Sequence, residues 1–172
     1  MKEFREIDPT ALAGNAFQLI AEDWMLITAG PPTAFNTMTA NWGGFGELWH
    51  HKVVFVFVRP QRYTYEFMER WEPFTLSFFP EEYREALTFC GTHSGRDVDK
   101  VAATGLTPVN GQAGGVFFDE AHLVIECRKL YAQDLEKRCF VRPEIDNEIY
   151  PTEDYHRCYV GEVMHCLTRR SL

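Results

Sequence analysis

Arg59-Pro60-Gln61-Arg62-Tyr63-Thr64 gathers two guanidiniums and a hydroxyl into one short segment. An apolar run ends at Val58, and Pro60 marks a helix start, so free N–H groups and the positive end of a helix dipole would face the same spot. Cations there oppose the dipole and ask for an anion. Arg59 and Arg62 can each offer forked donors to a phosphate, with Thr64 adding a hydroxyl. The plain alternative is a solvated basic turn. A second segment, Asn36-Thr37-Met38-Thr39-Ala40-Asn41-Trp42, is followed by Gly43, Gly44 and Gly46. Its small and polar residues would expose a line of backbone and side-chain donors, as a flat heterocycle with several carbonyls and ring nitrogens requires. An ordinary hairpin with a flexible tip has the same composition. A third segment runs Phe89-Cys90-Gly91-Thr92-His93-Ser94-Gly95-Arg96-Asp97-Val98-Asp99-Lys100. Ser94 or Asp97 could cap a helix there. Arg96 and Lys100, one helical turn apart, could then face one anion or one electron-rich ring, or simply join Asp97 in a surface charge cluster.

These segments need elements to hold them. Asp8-Pro9 reads as a helix start, with Leu12, Ala16, Leu19 and Ile20 on one face. Strands are expected over Trp24 to Thr28 and Phe35 to Trp42, after which Gly43-Gly44-Phe45-Gly46 breaks regularity. Val53 to Val58 is a β-branched and aromatic run suited to a strand buried on both faces, and Phe74 to Phe79 alternates large apolar residues with Thr and Ser. Three short helices are expected: one from Pro60 with Tyr63, Phe67 and Trp71 on one face, one from near Glu81, and one from about Asp97 to Thr104 with Gly105 as its C-cap. His122 to Tyr131 and Arg157 to Leu167 read as strands joined by a loop around Arg142-Pro143 and Tyr150-Pro151, and Gly161 marks a bulge or a close backbone approach. Strands with short helices between them suggest a small decorated barrel rather than a doubly wound parallel sheet.

The 172 residues suit one domain spanning 1–172. A net charge of −8, from 25 acidic and 17 basic residues, argues against a nucleic-acid partner. Aromatics at 15% suit a β-rich core or a site that sandwiches a planar ligand. The first residues, Met1-Lys2-Glu3-Phe4-Arg5-Glu6, carry no apolar leader, and Val53 to Val58 is too short to cross a bilayer, so a soluble cytoplasmic protein is expected. Five cysteines (Cys90, Cys127, Cys139, Cys158, Cys166) without Cys-x-x-Cys read as free thiols. The six histidines lack metal-ligand spacing, and no metal is expected. His156 is read as a surface-loop residue rather than part of a nucleotide pocket. Neither Gly-x-Ser-x-Gly nor Gly-x-Gly-x-x-Gly after a strand occurs, which leaves a serine hydrolase or a Rossmann domain without support.

Taken in order, Asn36 to Gly44, Arg59 to Thr64, Ser77 to Phe79, Phe89 to Lys100 and Tyr159-Val160-Gly161-Glu162-Val163 resemble the motifs of the flavin reductase-like proteins of the FMN-binding split-barrel superfamily. The likeness spans roughly residues 10 to 168. It implies an α+β, mainly β fold: a six-stranded antiparallel split β-barrel of Greek-key type with short peripheral helices. It also implies FMN as cofactor. Thr37, Met38, Thr39, Ala40, Asn41 and Trp42, with Asn36, would line the isoalloxazine ring. Arg59, Arg62 and Thr64, with Tyr63, would hold the phosphate or ribityl chain, and Phe79 would lie near the ring or that chain. The Cys90 segment, with Ser94, Gly95, Arg96 and Lys100, would close over the flavin, and a lysine near the pyrimidine would favour the anionic reduced ring. The flavin itself carries the chemistry, its N5 accepting hydride, so no catalytic side chain is expected. The implied activity is that of an NAD(P)H-dependent flavin reductase, with NAD(P)H as a transient co-substrate. A flavoredoxin-like electron carrier fed by a protein donor, or a non-catalytic FMN-binding module, are the alternatives. The expected partners are a second copy of the chain, with FMN near the subunit interface, and a small-molecule or protein redox partner, with no nucleic acid and no membrane.

Overall fold

The computed structural model describes residues 3–12 and 14–169. Its main sheet is antiparallel throughout. Along the chain, the strands are β1 (Arg5–Glu6), β2 (Met25–Ala29), β3 (Asn36–Ala40), β4 (Gly43–Leu48), β5 (His51–Val58), β6 (Pro73–Phe78), β7 (Pro108–Asn110), β8 (Val116–Phe118), β9 (Leu123–Asp134) and β10 (Arg157–Thr168). The helices are α1 (Tyr63–Arg70), α2 (Arg84–Thr92), α3 (Lys100–Thr104) and α4 (Pro143–Ile149). The hydrogen-bonded order is β3-β2-β6-β9-β10-β5-β4, with β1 added beside β10, while β7 and β8 form a separate hairpin. The sheet therefore holds eight strands, seven of them along one open path, where a six-stranded split barrel was expected.

β3 and β4 stand at opposite ends of this path, yet only Asn41 and Trp42 join them. The sheet must curl for its two edges to meet at that link. Met25 of β2 comes so near β4 that a Cβ on Gly43 would lie 3.3 Å from its Cε. Inside the curl, Ile27, Met38, Val54, Val56, Val58, Leu76, Phe78, Ile125 and Tyr159 form one continuous core. A second apolar layer packs outside the sheet: Leu26, Leu87, Cys90, Phe117, Phe118 and Val124, contributed in part by α2 and the β7–β8 hairpin.

Val54, Val56 and Val58 of β5 point into the core, while Phe55 and Phe57 on the other face are half-buried, where burial on both faces was expected. β4 was expected to be irregular, but it pairs with β5 along its whole length. Its glycines explain how: a Cβ on Gly43 would sit 2.6 Å from the Phe55 carbonyl oxygen, and those on Gly44 and Gly46 would meet the Phe55 ring. The absent side chains let the strands approach and the ring lie across them. The β4–β5 turn places Trp49 and His50 at φ of 55° and 62°, the two left-handed residues of a tight hairpin.

The expected first helix is divided. Asp8 caps only the single turn Pro9–Ala11, Gly14 takes φ +118°, and a π-helical turn follows over Gln18–Asp23. α1 starts three residues after Pro60, because Pro60 and Gln61 form a turn closed by the Arg62 N–H on the Arg59 carbonyl at 3.0 Å. α2 follows a 3₁₀ turn at Glu81–Tyr83, and α3 starts at Lys100 with Asp99, not Ser94 or Asp97, as its N-cap. The expected loop before β10 contains α4, opened by Pro143 at its first turn. Between Val160 and Gly161 the pairing with β9 shifts register, and a Cβ on Gly161 would lie 2.4 Å from Phe74 Cζ, so bulge and close approach coincide.

Candidate functional site

β3 pairs with β2 on one edge and ends the sheet on the other. Lys100, in the first turn of α3, sends its ammonium to that free edge and donates to the Thr37 and Cys90 carbonyls, each at 2.7 Å. The Thr37 carbonyl thus points away from β2, and by the two-residue repeat of a strand the Thr39 backbone does so too. The side chains of β3 fix its position. The Thr28 hydroxyl donates to that of Thr37 at 2.9 Å, Thr39 donates to the Leu87 carbonyl of α2, and Asn36 Nδ2 donates to Thr64 Oγ1 at 2.7 Å. Opposite Asn36, a Cβ on Gly95 would fall 2.0 Å from its Oδ1. Only a residue without a side chain fits there.

The two arginines of the strand–helix corner part company. Arg59 turns toward the segment before β10: it pairs with Asp154, donates to the Ile149 carbonyl at 3.1 Å and lies over the Tyr150 ring at 5.2 Å. Arg62 is the N-cap residue of α1 and donates to the Gly91 carbonyl at 2.7 Å. It is half-buried, and among the described residues it meets no carboxylate at ion-pair distance. Burial, with the Arg59 charge adding to it, lowers its pKa. Burial likewise lowers Lys100 to about 8, Cys90 partly opposing and Arg62 reinforcing the shift.

Three hollows adjoin along β3. One, of about 230 Å³, is walled by Met38 to Trp42, Phe57, Arg59, Arg62 and His156. The next, about 170 Å³, shares Met38 and Arg62 with it and adds Asn36, Tyr63, Thr64, Ser94, Gly95 and Lys100. The third, about 650 Å³, shares Asn36, Gly95 and Lys100 and opens between the β2–β3 loop and the Arg96 to Val101 segment. Together they form a trough with a strand edge for its floor and, in its wall, two cations that meet no carboxylate among the described residues.

The residues singled out in the sequence divide accordingly. Asn36 to Trp42, Arg62, Tyr63, Thr64, Ser94, Gly95, Arg96 and Lys100 line the trough. Arg59 borders it while paired to Asp154. Phe79 packs in the outer core layer against Tyr83 and Phe118. Cys90 is buried in that layer, its thiol raised to about 11 by burial, and offers Lys100 its carbonyl rather than its sulfur. Arg96 and Lys100 both line the third hollow, but they are not one helical turn apart. The helix begins only at Lys100, so Arg96 lies outside it, paired with Glu66 and placed 4.7 Å over the Tyr63 ring.

His156 was read as a surface residue, but it is buried at 8% exposure and walls the first hollow. Its ring lies 5.1 Å from that of Trp42, and its Nδ1 is 2.8 Å from the Tyr150 hydroxyl. Burial, helped by the Arg59 charge, lowers it to about 4. Its position is set by the strand that follows: Arg157 pairs with Val58, which puts His156 beside the Arg59 corner. Spacing along the chain carries no such signal.

Comparison with known proteins gives likenesses in fold and one family match. The structure is similar to flavoredoxin of Desulfovibrio vulgaris (Miyazaki F), with TM-score 0.66 and 23% identity over 86% of this chain and 69% of that one. It is similar to an FMN-binding domain of a flavin reductases-like enzyme from Shewanella baltica, with TM-score 0.70 and 15% identity over 97% and 78% of the two chains. It is also similar to the NADH:FAD oxidoreductase of Streptomyces globisporus C-1027, with TM-score 0.63 and 17% identity over 85% and 74%. At these identities the likeness is one of fold. A search of curated sequences gave no significant match. The family model described as flavin reductase like domain matches residues 17–172, and the chain belongs to that family.

Proposed function

We propose that the trough along β3 holds FMN and that the protein is a flavin-dependent oxidoreductase, an NAD(P)H-dependent flavin reductase. The observation that carries this reading is the pair Arg62 and Lys100, two cations at least half-buried beside a strand edge with carbonyls but, among the described residues, no carboxylates as partners. A phosphate supplies the missing negative charge, and the flat ring needs the backbone donors of Thr37 and Thr39. The residues present therefore fit the cofactor. Arg62, Thr64 and Ser94 would hold the phosphate and ribityl chain, and Met38 to Trp42 the ring. When bound, FMN supplies the two-electron chemistry. The chain contributes a charged anchor, an oriented edge and, at Trp42 and His156, a wall that can shield the ring from water.

Only two residues join the sheet's edges, and Met25 touches β4, which supports reading the curl as a split barrel, with residues 1–172 as one flavin-binding domain. The exposed Trp49, Leu130, Tyr131 and Met164 support a homodimer. A second reading, an electron carrier reduced by a protein donor, is favoured by the likeness to flavoredoxin. The visible spectrum of the protein with added FMN, followed anaerobically with NADH and then NADPH, separates the two. Rapid bleaching by one nucleotide supports the reductase. Bands that persist with both and bleach with dithionite favour the carrier. Failure to bind FMN overturns both.

A further inference from the structure

Tyr150 ends α4 as its C-cap residue and is 5% exposed. Its ring is boxed by the Arg59 guanidinium at 5.2 Å, Tyr155 at 4.9 Å and Phe140 at 5.8 Å. A buried phenol hydrogen needs an acceptor. The one that the Tyr150 hydroxyl meets, among the described residues, is His156 Nδ1 at 2.8 Å. The phenol therefore donates, Nδ1 accepts, and the proton of a neutral imidazole stays on Nε2. His156 is neutral at ordinary pH, since its pKa is lowered to about 4. Among the described residues Nε2 has no protein partner, and the ring walls the hollow beside Trp42.

We propose that Tyr150 is a positioning residue that holds His156 as its Nε2–H tautomer, making it a neutral hydrogen-bond donor to a carbonyl oxygen of the molecule seated against Trp42. A neutral donor suits this hollow, because Arg59 and Arg62 already bring two positive charges to it. The carbonyl belongs either to the flavin ring or to the carboxamide of a nicotinamide. This inference rests on the flavin reading above, and it gives the segment carrying α4 a role in recognition.

The first measurement is the ¹⁵N spectrum of the His156 ring in flavin-free protein, so it stands apart from any failure of that reading. Wild type and Tyr155→Phe, which leaves the Tyr150 hydroxyl in place, should show Nε2 protonated and Nδ1 bare. Tyr150→Phe, which keeps the ring beneath Arg59, should shift toward a mixture. A wild-type Nδ1–H tautomer, or no change in Tyr150→Phe, overturns the proposal. The second measurement compares Tyr150→Phe and His156→Phe for FMN Kd and for KM of the reducing nucleotide. Loss of one hydrogen bond predicts a change of roughly tenfold in one of them. A weaker Kd assigns the carbonyl to the flavin, and a raised KM with Kd unchanged assigns it to the nicotinamide. If neither moves, the donor role is wrong.

Discussion

The Lys100 ammonium lies 2.7 Å from the Thr37 carbonyl oxygen, fastening a buried cation of α3 to the open edge of β3. A second carbonyl, that of Cys90, accepts from it at the same distance. Two neutral acceptors compensate a buried charge poorly, which is why its pKa falls to about 8.

FMN affinity should therefore decline as pH rises above about 8, where the flavin-free protein loses the Lys100 charge. Arg62 remains charged through that range, and the Cys90 thiol, at about 11, remains neutral. Folding stability takes the opposite sign. The folded pKa is depressed below the unfolded 10.5, so between about 8 and 10.5 the unfolded chain binds more protons, and this group's contribution rises with pH. Fluorescence titration with FMN from pH 7 to 9.5 reads the first effect. Lys100→Met should bind more weakly at pH 7 and show a flat profile. A wild-type profile that is flat as well would remove Lys100 from anion binding.

Gly95→Ala should weaken FMN binding by at least about tenfold with little loss of global stability. The added methyl would meet Asn36 Oδ1 at 2.0 Å and Tyr63 Cδ1 at 3.2 Å, so it must displace the amide that ties β3 to Thr64. The segment Ser94 to Lys100 would then stand away from the strand edge. Isothermal titration with FMN, alongside thermal unfolding, tests this, and an unchanged Kd would place the ligand elsewhere.

Gly161→Ala should behave differently, costing about 1–3 kcal/mol of stability through overpacking. Its methyl would meet Phe74 Cζ at 2.4 Å and Cys127 Cβ at 3.1 Å, deep in the core and away from the trough. Urea unfolding measures the loss, and the FMN Kd of the folded variant should match wild type.

How far this was legible in the sequence depends on the range of the interactions. β5 and β6 follow from local runs of β-branched and aromatic residues, and Gly105 ends α3 in the left-handed conformation its place suggests. β4 was hidden because its glycines answer to Phe55 on the neighbouring strand rather than to any local preference. α4 was hidden because Pro143 can open a helix as well as break one. In the trough, the β3 segment and Arg62 were readable from type and order. His156 was not, because its place is set by the β5–β10 register, nor was the Arg59 partner, which lies 95 residues away.

Arg59 and Arg62 should separate into a structural and a ligand-binding residue, although the same motif supplies both. Arg59 has its partners within the protein: Asp154, the Ile149 carbonyl and the Tyr150 ring. Its guanidinium holds Asp154 down at about 2, so this pair stabilises the fold above about pH 4 and ceases to do so as pH falls through 2. Arg59→Ala should cost about 1–3 kcal/mol, seen as a Tm lower by about 2–4 °C per kcal/mol, with release of the segment before β10. Among the described residues Arg62 has one carbonyl partner and no carboxylate, so Arg62→Ala should leave Tm nearly unchanged. It should weaken FMN by roughly tenfold to a hundredfold, the worth of a charge-assisted bond, and leave riboflavin, which lacks the phosphate, almost unaffected. Paired titrations of FMN and riboflavin against both variants decide the matter. Equal losses for the two flavins in Arg62→Ala would mean that this guanidinium does not meet the phosphate. A loss of FMN affinity confined to Arg59→Ala, with Tm intact, would reverse the assignment of the two residues.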